Sequence, residues 1–287
     1  KSRSALHWRN LSPLAEDAFE IFEAGNFSGA VVMSNMGPEL PLEIARRYPD
    51  TILIARLYWP AGTLPTIEDA VAGWASYIKV VRSVCKKFVI LNEPRMEYPD
   101  VSPEDFSLWF MRVRARLKKL FPDCEFGFPM PEVIGDGVWD YIVKSWFGIL
   151  QADFIAEHAY WEEAWQASDW NWGTRFVRIR NAYPDKPIYI TEWGCSGELE
   201  SVVRAEQYRA WLKVLPEWIT FAAAFIQGKA DGLERFWIDS DMARAMRIEE
   251  ETVASYQVGP GIKAAMDARG EVPVEDEHYL WPNLYSI

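Results

Sequence analysis

Two glutamates stand where an apolar run of the sequence ends, and their positions make them candidates for catalysis. Glu93 follows the run 88–92 within the sequence Asn-Glu-Pro, and Glu192 ends the run 187–192 within Thr-Glu-Trp-Gly. A carboxylate at the edge of a buried strand is costly to desolvate unless it is paired or used, so each needs a functional explanation. Held about 5 Å apart, two carboxyl groups suit hydrolysis of a glycosidic bond with retention, one as nucleophile and the other as acid and then base.

Eight short apolar runs alternate with amphipathic segments along the chain, and each run predicts a β-strand. Several runs are apolar almost throughout, which is typical of parallel strands that are covered on both faces. The predicted strands are Ala5–Trp8, Gly29–Ser34, Thr51–Leu57, Phe88–Asn92, Glu125–Phe128, Phe154–Tyr160, Pro187–Glu192 and Ile219–Ile226.

Helix start signals lie between these strands. The hydroxyl groups of Ser12, Thr66 and Ser102 each precede acidic or proline residues that favour the first helical turn. After Ser102, apolar residues recur at helical spacing through 106–120, and arginine and lysine occupy positions between them. One face of this helix is therefore expected to be buried.

Strict alternation of eight strands with helices predicts an α/β fold, a single (β/α)8 TIM barrel in which residues 1–287 form one catalytic domain. An open doubly wound sheet is the alternative, but no glycine-rich phosphate loop follows the first strand. Loop insertions are expected after strand six, at Trp161–Trp172, and after strand eight, at Gln227–Val258. Both follow the carboxyl ends of strands, where the active sites of barrel enzymes lie. Each insertion therefore either forms a wall of the cleft or only stabilises the barrel.

Strands four and seven lie roughly opposite each other in such a barrel, so Glu93 and Glu192 can converge over its mouth. With this arrangement the sequence resembles clan A of the glycoside hydrolases, whose barrels bear an acid/base glutamate after strand four and a nucleophilic glutamate after strand seven. The resemblance is carried by residues 92–94 and 191–194, together with His-Ala-Tyr at 158–160. It covers most of the barrel by strand order but about ten residues by motif, so it identifies the clan rather than a family.

The resemblance implies a role for each matched residue. Glu93 would protonate the leaving oxygen and later activate water, while Glu192 would attack the anomeric carbon. Asn92 would hydrogen-bond the sugar 2-hydroxyl, and Tyr160 would donate a hydrogen bond to Glu192. These roles separate only if Glu192 stays ionised while Glu93 keeps its proton, which calls for a cation beside Glu192.

The expected cation is Arg56, at the end of strand three, with Arg9 after strand one as the alternative. His7 and His158 are expected to hydrogen-bond sugar hydroxyl groups, although a histidine at a strand end is as often a structural residue.

The chain contains 15 tryptophans, and four of them fall within Trp161–Trp172. Such a cluster at a barrel mouth predicts subsites for an oligosaccharide or polysaccharide, because sugar rings stack on aromatic planes. Trp161 is expected to contact substrate, as are Trp193, directly after Glu192, and Trp237, after strand eight. The alternative is that half or more of the clustered side chains pack beneath their own loop.

Composition narrows the expected partners to the glycan substrate. The formal net charge of -12 removes the main driving force for binding nucleic acid or an anionic membrane. The three histidines lack the spacing of metal ligands, and the mechanism requires no metal or organic cofactor. A secreted or cell-surface location is favoured over the cytoplasm, although nothing in the sequence fixes the compartment.

Two other functions fit the same residues. One is a non-catalytic carbohydrate-binding barrel that keeps the cleft. The other is an inverting or lytic cell-wall glycan hydrolase that pairs Glu93 with Glu157 or Glu162, at the wider separation of about 6.5–9.5 Å that an inverting pair needs.

Overall fold

Eight parallel strands close into a barrel in chain order, so that β1 pairs with both β2 and β8. The computed structural model describes residues 3–8, 16–133, 135–227 and 233–247. The strands are β1 Ser4–Trp8, β2 Gly29–Met33, β3 Ile52–Leu57, β4 Lys87–Ile90, β5 Glu125–Pro129, β6 Phe154–Trp161, β7 Ile188–Cys195 and β8 Ala222–Gln227. The predicted (β/α)8 barrel is confirmed, and each predicted strand is present with ends that differ by a few residues.

Helices connect the strands and cover the outside of the barrel. They are α1 Glu16–Ala24, α2 Glu39–Arg47, α3 Ile67–Val81, α4 Pro94–Glu97, α5 Pro103–Leu120, α6 Val138–Lys144, α7 Trp146–Gln151, α8 Arg175–Ala182, α9 Ser201–Val214 and α10 Ser240–Met246. The predicted caps of α3 and α5 are confirmed, because the side chains of Thr66 and Ser102 accept hydrogen bonds from the backbone N–H groups of Asp69 and Asp105. The start signal predicted at Ser12 lies outside the described residues.

The strands separate two apolar layers, since alternate side chains point to opposite faces of a strand. The interior layer includes Ala5, Val31, Ile54, Val89, Phe154, Ala156 and Phe221. The larger outer layer lies between the strands and the helices. Because apolar side chains fill the interior, the polar inward-facing side chains stand beyond them, at the carboxyl ends of the strands.

The two predicted insertions differ in structure. After β6 the chain forms a 3-10 turn, Ala164–Ser168, and the Gln166 side-chain oxygen accepts hydrogen bonds from the backbone N–H groups of Glu162 and Glu163, the two residues before the turn. After β8 the described residues 233–247 contain a 3-10 turn, Glu234–Phe236, and α10. This helix packs against α9 and α1, so it completes the outer ring. Residues 228–232 and 248–258 of that predicted insertion lie outside the described residues.

Among the described residues, no helix combines the length and the apolar character needed to cross a membrane. The assignment of residues 1–287 to one domain stays a prediction, because 248–287 lie outside the described residues.

Candidate active site

A bulge in β7 aims Glu192 into the barrel. Consecutive residues 157 and 158 of β6 pair with Ile190 and Glu192, so Thr191 is an extra residue in the register. Ile190 belongs to the outer layer, and strict alternation from there would turn Glu192 outward as well. The extra residue shifts the alternation by one, and the carboxylate of Glu192 therefore points into the barrel mouth.

Four groups surround the Glu192 carboxylate, which is 5% exposed: Arg56, Tyr160, His7 and His158. The Arg56 guanidinium forms an ion pair with Oε1, and the Tyr160 hydroxyl donates to Oε2 over 2.6 Å. The His7 Nε2 atom lies 3.5 Å from Oε1. Burial opposes ionisation of Glu192, but Arg56, the two histidines and the Tyr160 hydroxyl outweigh it and hold the pKa of this carboxyl well below its ordinary value. Glu192 is therefore an ionised carboxylate held in one orientation.

The backbone before α4 presents Glu93 from the opposite side of the mouth. Leu91 and Glu93 both have positive φ, 68° and 23°, which costs a non-glycine residue about 1–3 kcal/mol each. This conformation turns the chain sharply between β4 and Pro94, the first residue of α4. Glu93 is largely buried, and its Oε1 shares a hydrogen bond of 2.8 Å with His158 Nδ1.

His158 stands between the two glutamates. Its Nδ1 atom is 2.8 Å from Glu93 and 3.6 Å from Glu192 Oε2. Burial lowers the pKa of His158, but the charges of Glu192 and Glu93 outweigh it and raise that pKa above its ordinary value. One ligand atom from each of the three side chains lies within 4.8 Å of the others, so the nearest carboxylate oxygens of Glu93 and Glu192 are no farther apart than that.

A third carboxylate, which the sequence reasoning missed, lies beside this pair. Glu97, at the end of α4, accepts a hydrogen bond of 2.9 Å from the Asn92 amide nitrogen. Burial and the charges of Glu93 and Glu192 raise the pKa of Glu97, while Asn92 and Arg56 act against that rise. The sequence does offer one signal for Glu97: it stands four residues after Glu93, about one helical turn further along the chain. Glu97 thus fixes the orientation of the Asn92 side-chain amide, with its nitrogen toward Glu97.

Aromatic side chains border the mouth on the side of β8. The ring of Phe225 lies edge-on to those of His7, Tyr160 and Phe236, and half-buried Trp237 packs in the same cluster. Tyr160 and Trp237 thus both pack against the same aromatic cluster at the mouth, and the contact of Trp237 with substrate stays a prediction.

The expectation that Trp161 and Trp193 line the cleft is wrong. Both side chains are 0% exposed and stack on each other and on Trp211 in the outer layer. The reason is strand alternation, since each follows an inward-facing residue, Tyr160 or Glu192, and must face the helices. The other tryptophans of the 161–172 cluster differ in exposure. Trp165 and Trp170 are 59% and 50% exposed, and Trp172 is half-buried.

The alternative carboxylates do not enter the described site. Glu157 faces outward, is fully buried and is paired with Arg175 of α8 over 2.7 Å. Glu162 is exposed after β6. Arg9 lies outside the described residues, and Arg56 occupies the predicted place beside Glu192.

Glu93, His158 and Glu192 also offer a donor set that could hold a metal ion. The same atoms already exchange hydrogen bonds with one another and with Tyr160. A divalent cation would have to replace these bonds and would stand beside the fixed charge of Arg56, which repels it. The donor set therefore fits proton transfer better than metal binding.

No family model matches the chain, and no curated protein matches it in sequence. Solved structures share its fold. A GH128 (subgroup III) curdlan-specific exo-β-1,3-glucanase from Blastomyces gilchristii gives a TM-score of 0.55 at 15% identity, with 86% of this chain and 98% of that chain covered. A GH128 (subgroup IV) endo-β-1,3-glucanase from Lentinula edodes gives 0.53 at 14% identity, covering 92% and 98%.

The β-glucuronidase 2 of Bacteroides uniformis gives a TM-score of 0.60 at 10% identity, with 78% of this chain and 30% of that chain covered. The chain also spans only 52% of the N2152 structure from Neocallimastix frontalis. At these identities the likeness shows a common barrel fold, and the chemistry rests on the site.

Proposed function

We propose that the chain is a retaining glycoside hydrolase that cleaves β-glycosidic bonds of an oligosaccharide or polysaccharide. The observation that carries the proposal is the approach of the Glu93 and Glu192 carboxylate oxygens to within 4.8 Å. Retaining pairs stand about 5–5.5 Å apart, whereas inverting pairs need about 6.5–9.5 Å to admit a water molecule between carboxylate and sugar.

The environments of the two glutamates support different roles. Glu192 is ionised beside Arg56 and accepts from Tyr160, which is the setting of a nucleophile. Glu93 shares its hydrogen bond with His158, a group that can exchange a proton. Glu192 attacks the anomeric carbon and the bond to the leaving oxygen breaks, while Glu93 gives its proton to that oxygen.

In the second step Glu93 is the base. Its carboxylate takes a proton from water, the water oxygen bonds to the anomeric carbon, and the ester bond to Glu192 breaks. Glu192 returns as a carboxylate and Glu93 as an acid, so the cycle closes. The Arg56 charge stabilises Glu192 most strongly when the carboxylate is free, which favours its departure from the sugar in this step.

The substrate class is proposed from the neighbours as well as from the site. Two solved structures with the same fold are named as β-1,3-glucanases, and the alignments with them cover 86% and 92% of this chain. We therefore take a β-1,3-glucan as the first substrate to test, within a panel of β-linked glycans.

The decisive experiment removes the nucleophile and supplies another. Glu192→Ala is expected to abolish hydrolysis of a 2,4-dinitrophenyl β-glycoside, and azide is expected to restore turnover with an α-glycosyl azide as product, identified by NMR. Glu162→Ala, which removes an exposed carboxylate, is the matched control and should retain parental activity. Parental activity in Glu192→Ala would overturn the proposal, and glycan binding without turnover by the parent chain would favour a binding barrel instead.

A further inference from the structure

Tyr58 follows β3 at the mouth of the barrel, two residues after Arg56. The Leu57 carbonyl accepts a hydrogen bond from the Leu91 N–H, on the β4 side. The Tyr58 N–H donates in the other direction, to the Ser34 hydroxyl at the end of β2, over 2.9 Å. Successive residues that turn to opposite neighbours are typical of an extended strand, so the extended backbone continues through position 58. The Tyr58 side chain therefore lies on the inward face that Arg56 shares, further toward the solvent.

The Tyr58 ring is open to the solvent at this position. The residue is 40% exposed, and among the residues that the structure describes no aromatic ring or cationic group packs on its phenol. Within the same residues no hydrogen bond holds its hydroxyl. An aromatic plane with a free face can receive the C–H face of a pyranose ring, and a free hydroxyl can bond to a sugar hydroxyl.

The backbone that carries Tyr58 is held in place by two other elements of the barrel. The indole N–H of Trp74 in α3 donates to the Tyr58 carbonyl over 2.9 Å. The Gly62 N–H donates to the Glu97 carbonyl over 2.8 Å, which ties the segment 58–66 to α4 at the catalytic mouth. A ring on a fixed backbone loses little conformational freedom when it binds, so less of the binding free energy is lost to ordering.

The two segments on this side of the mouth contain no charged side chain. Residues 34–38, after β2, read Ser-Asn-Met-Gly-Pro, and residues 58–66, after β3, read Tyr-Trp-Pro-Ala-Gly-Thr-Leu-Pro-Thr. Half-buried Met33 pairs with Arg56 in the strand register and adds apolar surface beside them. Since the whole chain has a formal net charge of -12, an anionic sugar would gain no cationic partner from these segments to offset the repulsion. This surface therefore favours a neutral sugar.

We propose that Tyr58 is the stacking residue of a subsite for a neutral pyranose unit, next to the unit whose glycosidic bond is cleaved. This inference rests on the proposed function. The substrate chain then crosses the β2 and β3 side of the mouth, which lies opposite the tryptophan cluster that follows β6. The surface that binds the glycan is thus assigned to an aromatic residue outside that cluster.

The test compares a long substrate with one that has a single sugar. Tyr58→Ala is expected to raise KM about tenfold for laminarihexaose, or for the matching oligosaccharide of whichever glycan the parent prefers, with a smaller change in kcat. The kinetics of the matching β-glycosyl fluoride should be unchanged, because this substrate has one sugar and no ring in its leaving group. Tyr58→Phe, which keeps the aromatic face, should recover most of the loss.

Phe147→Ala is the matched control, because Phe147 is 39% exposed and lies on α7, which leads into the amino end of β6, away from the mouth. Ser34→Ala removes the acceptor for the Tyr58 N–H and should give a smaller rise in KM for the long substrate. Equal losses of Tyr58→Ala on both substrates, or no loss on the oligosaccharide, would overturn the subsite.

A binding measurement separates the subsite from the proposed function. In the Glu192→Ala background, calorimetry should show that Tyr58→Ala raises the Kd for laminarihexaose about tenfold, and an unchanged Kd would overturn the subsite. Laminarihexaose whose primary hydroxyl groups are oxidised to carboxylates should bind at least tenfold more weakly than the neutral chain, and equal binding would overturn the preference for a neutral sugar. A parent chain that hydrolyses no β-glycan overturns the proposed function, which the binding data do not test.

Discussion

Arg56 of β3 and Glu192 of β7 form an ion pair across the mouth of the barrel, with side chains 5% and 6% exposed. The strands that bear them are separated by half of the barrel, so the pair exists only when the barrel is closed. Burial makes each charge depend on the other, because an unpaired ion in this position loses its hydration without compensation. The pair therefore links the stability of the barrel to the ionisation of Glu192, the proposed nucleophile.

Removing Arg56 is expected to damage both activity and stability. Arg56→Gln should lower kcat about 100-fold, since it removes a preorganised cationic donor, and should reduce the free energy of unfolding by about 3–5 kcal/mol because Glu192 stays buried. Arg56→Lys, which keeps the charge, should lose less of each. Kinetics and urea unfolding measure the two effects, and Arg82→Gln, in an exposed pair with Asp123, is the control. Unchanged stability in Arg56→Gln would contradict the role of the pair.

Removing the Tyr160 hydroxyl is expected to move the acid limb of the pH profile. This hydroxyl and Arg56 hold the pKa of Glu192 low, so Tyr160→Phe should raise that pKa and shift the acid limb of kcat/KM to higher pH. The loss of a hydrogen bond to a charged group should reduce kcat about tenfold or more. Tyr208→Phe removes another buried hydroxyl, one that accepts from the Cys195 N–H, and should leave the limb in place. An acid limb that does not move would show that Tyr160 acts only through packing.

The two shifted groups predict opposite pH dependences of stability. Because the folded protein depresses the pKa of Glu192, the ionised carboxylate stabilises the fold above pH 4.5, the ordinary pKa of this group. That stability is lost as the pH falls toward the folded-state pKa. Because the folded protein raises the pKa of His158, the protonated imidazole stabilises the fold below pH 6.5, the ordinary pKa of this group. That stability is lost as the pH rises through the folded-state pKa. His158→Gln should therefore flatten the decline of Tm on the alkaline side. Thermal unfolding across the pH range measures both slopes, and an unchanged alkaline slope would remove His158 as its source.

Glu97 is expected to act as a positioning residue through Asn92. Glu97→Leu removes the acceptor for the Asn92 amide, so the Asn92 side chain can rotate away from the orientation in which we propose that it bonds the sugar 2-hydroxyl, and kcat should fall about tenfold. Glu97→Gln keeps an oxygen acceptor and should retain most activity. The loss should vanish on a 2-deoxy glycoside, which offers no hydroxyl for Asn92 to orient. Equal losses on both substrates would assign Glu97 a purely structural role.

Much of the site was accessible from residue types and strand order. The carboxylates of Glu93 and Glu192 and the cation at Arg56 are brought together as strand order predicts, because the carboxyl ends of the eight strands meet at one mouth. The hydrogen bond from Tyr160 to Glu192 was implied by the resemblance to clan A glycoside hydrolases, and the structure contains it. The tryptophans were harder to place. A local cluster at 161–172 does not reveal which rings face the helices, the solvent or a cavity, since that depends on the strand face and on neighbouring loops.

Eight apolar runs, their alternation with helices and two glutamates at the ends of runs four and seven can all be read from the amino-acid order. These are local properties, set by side-chain type and spacing. The pairing of β6 with β7 makes Thr191 an extra residue in the register, so that Glu192 faces inward and Trp193 outward, and no local pattern predicts this. Register depends on the partner strand as well as on the strand itself, and a shift of one residue exchanges the two faces of a strand.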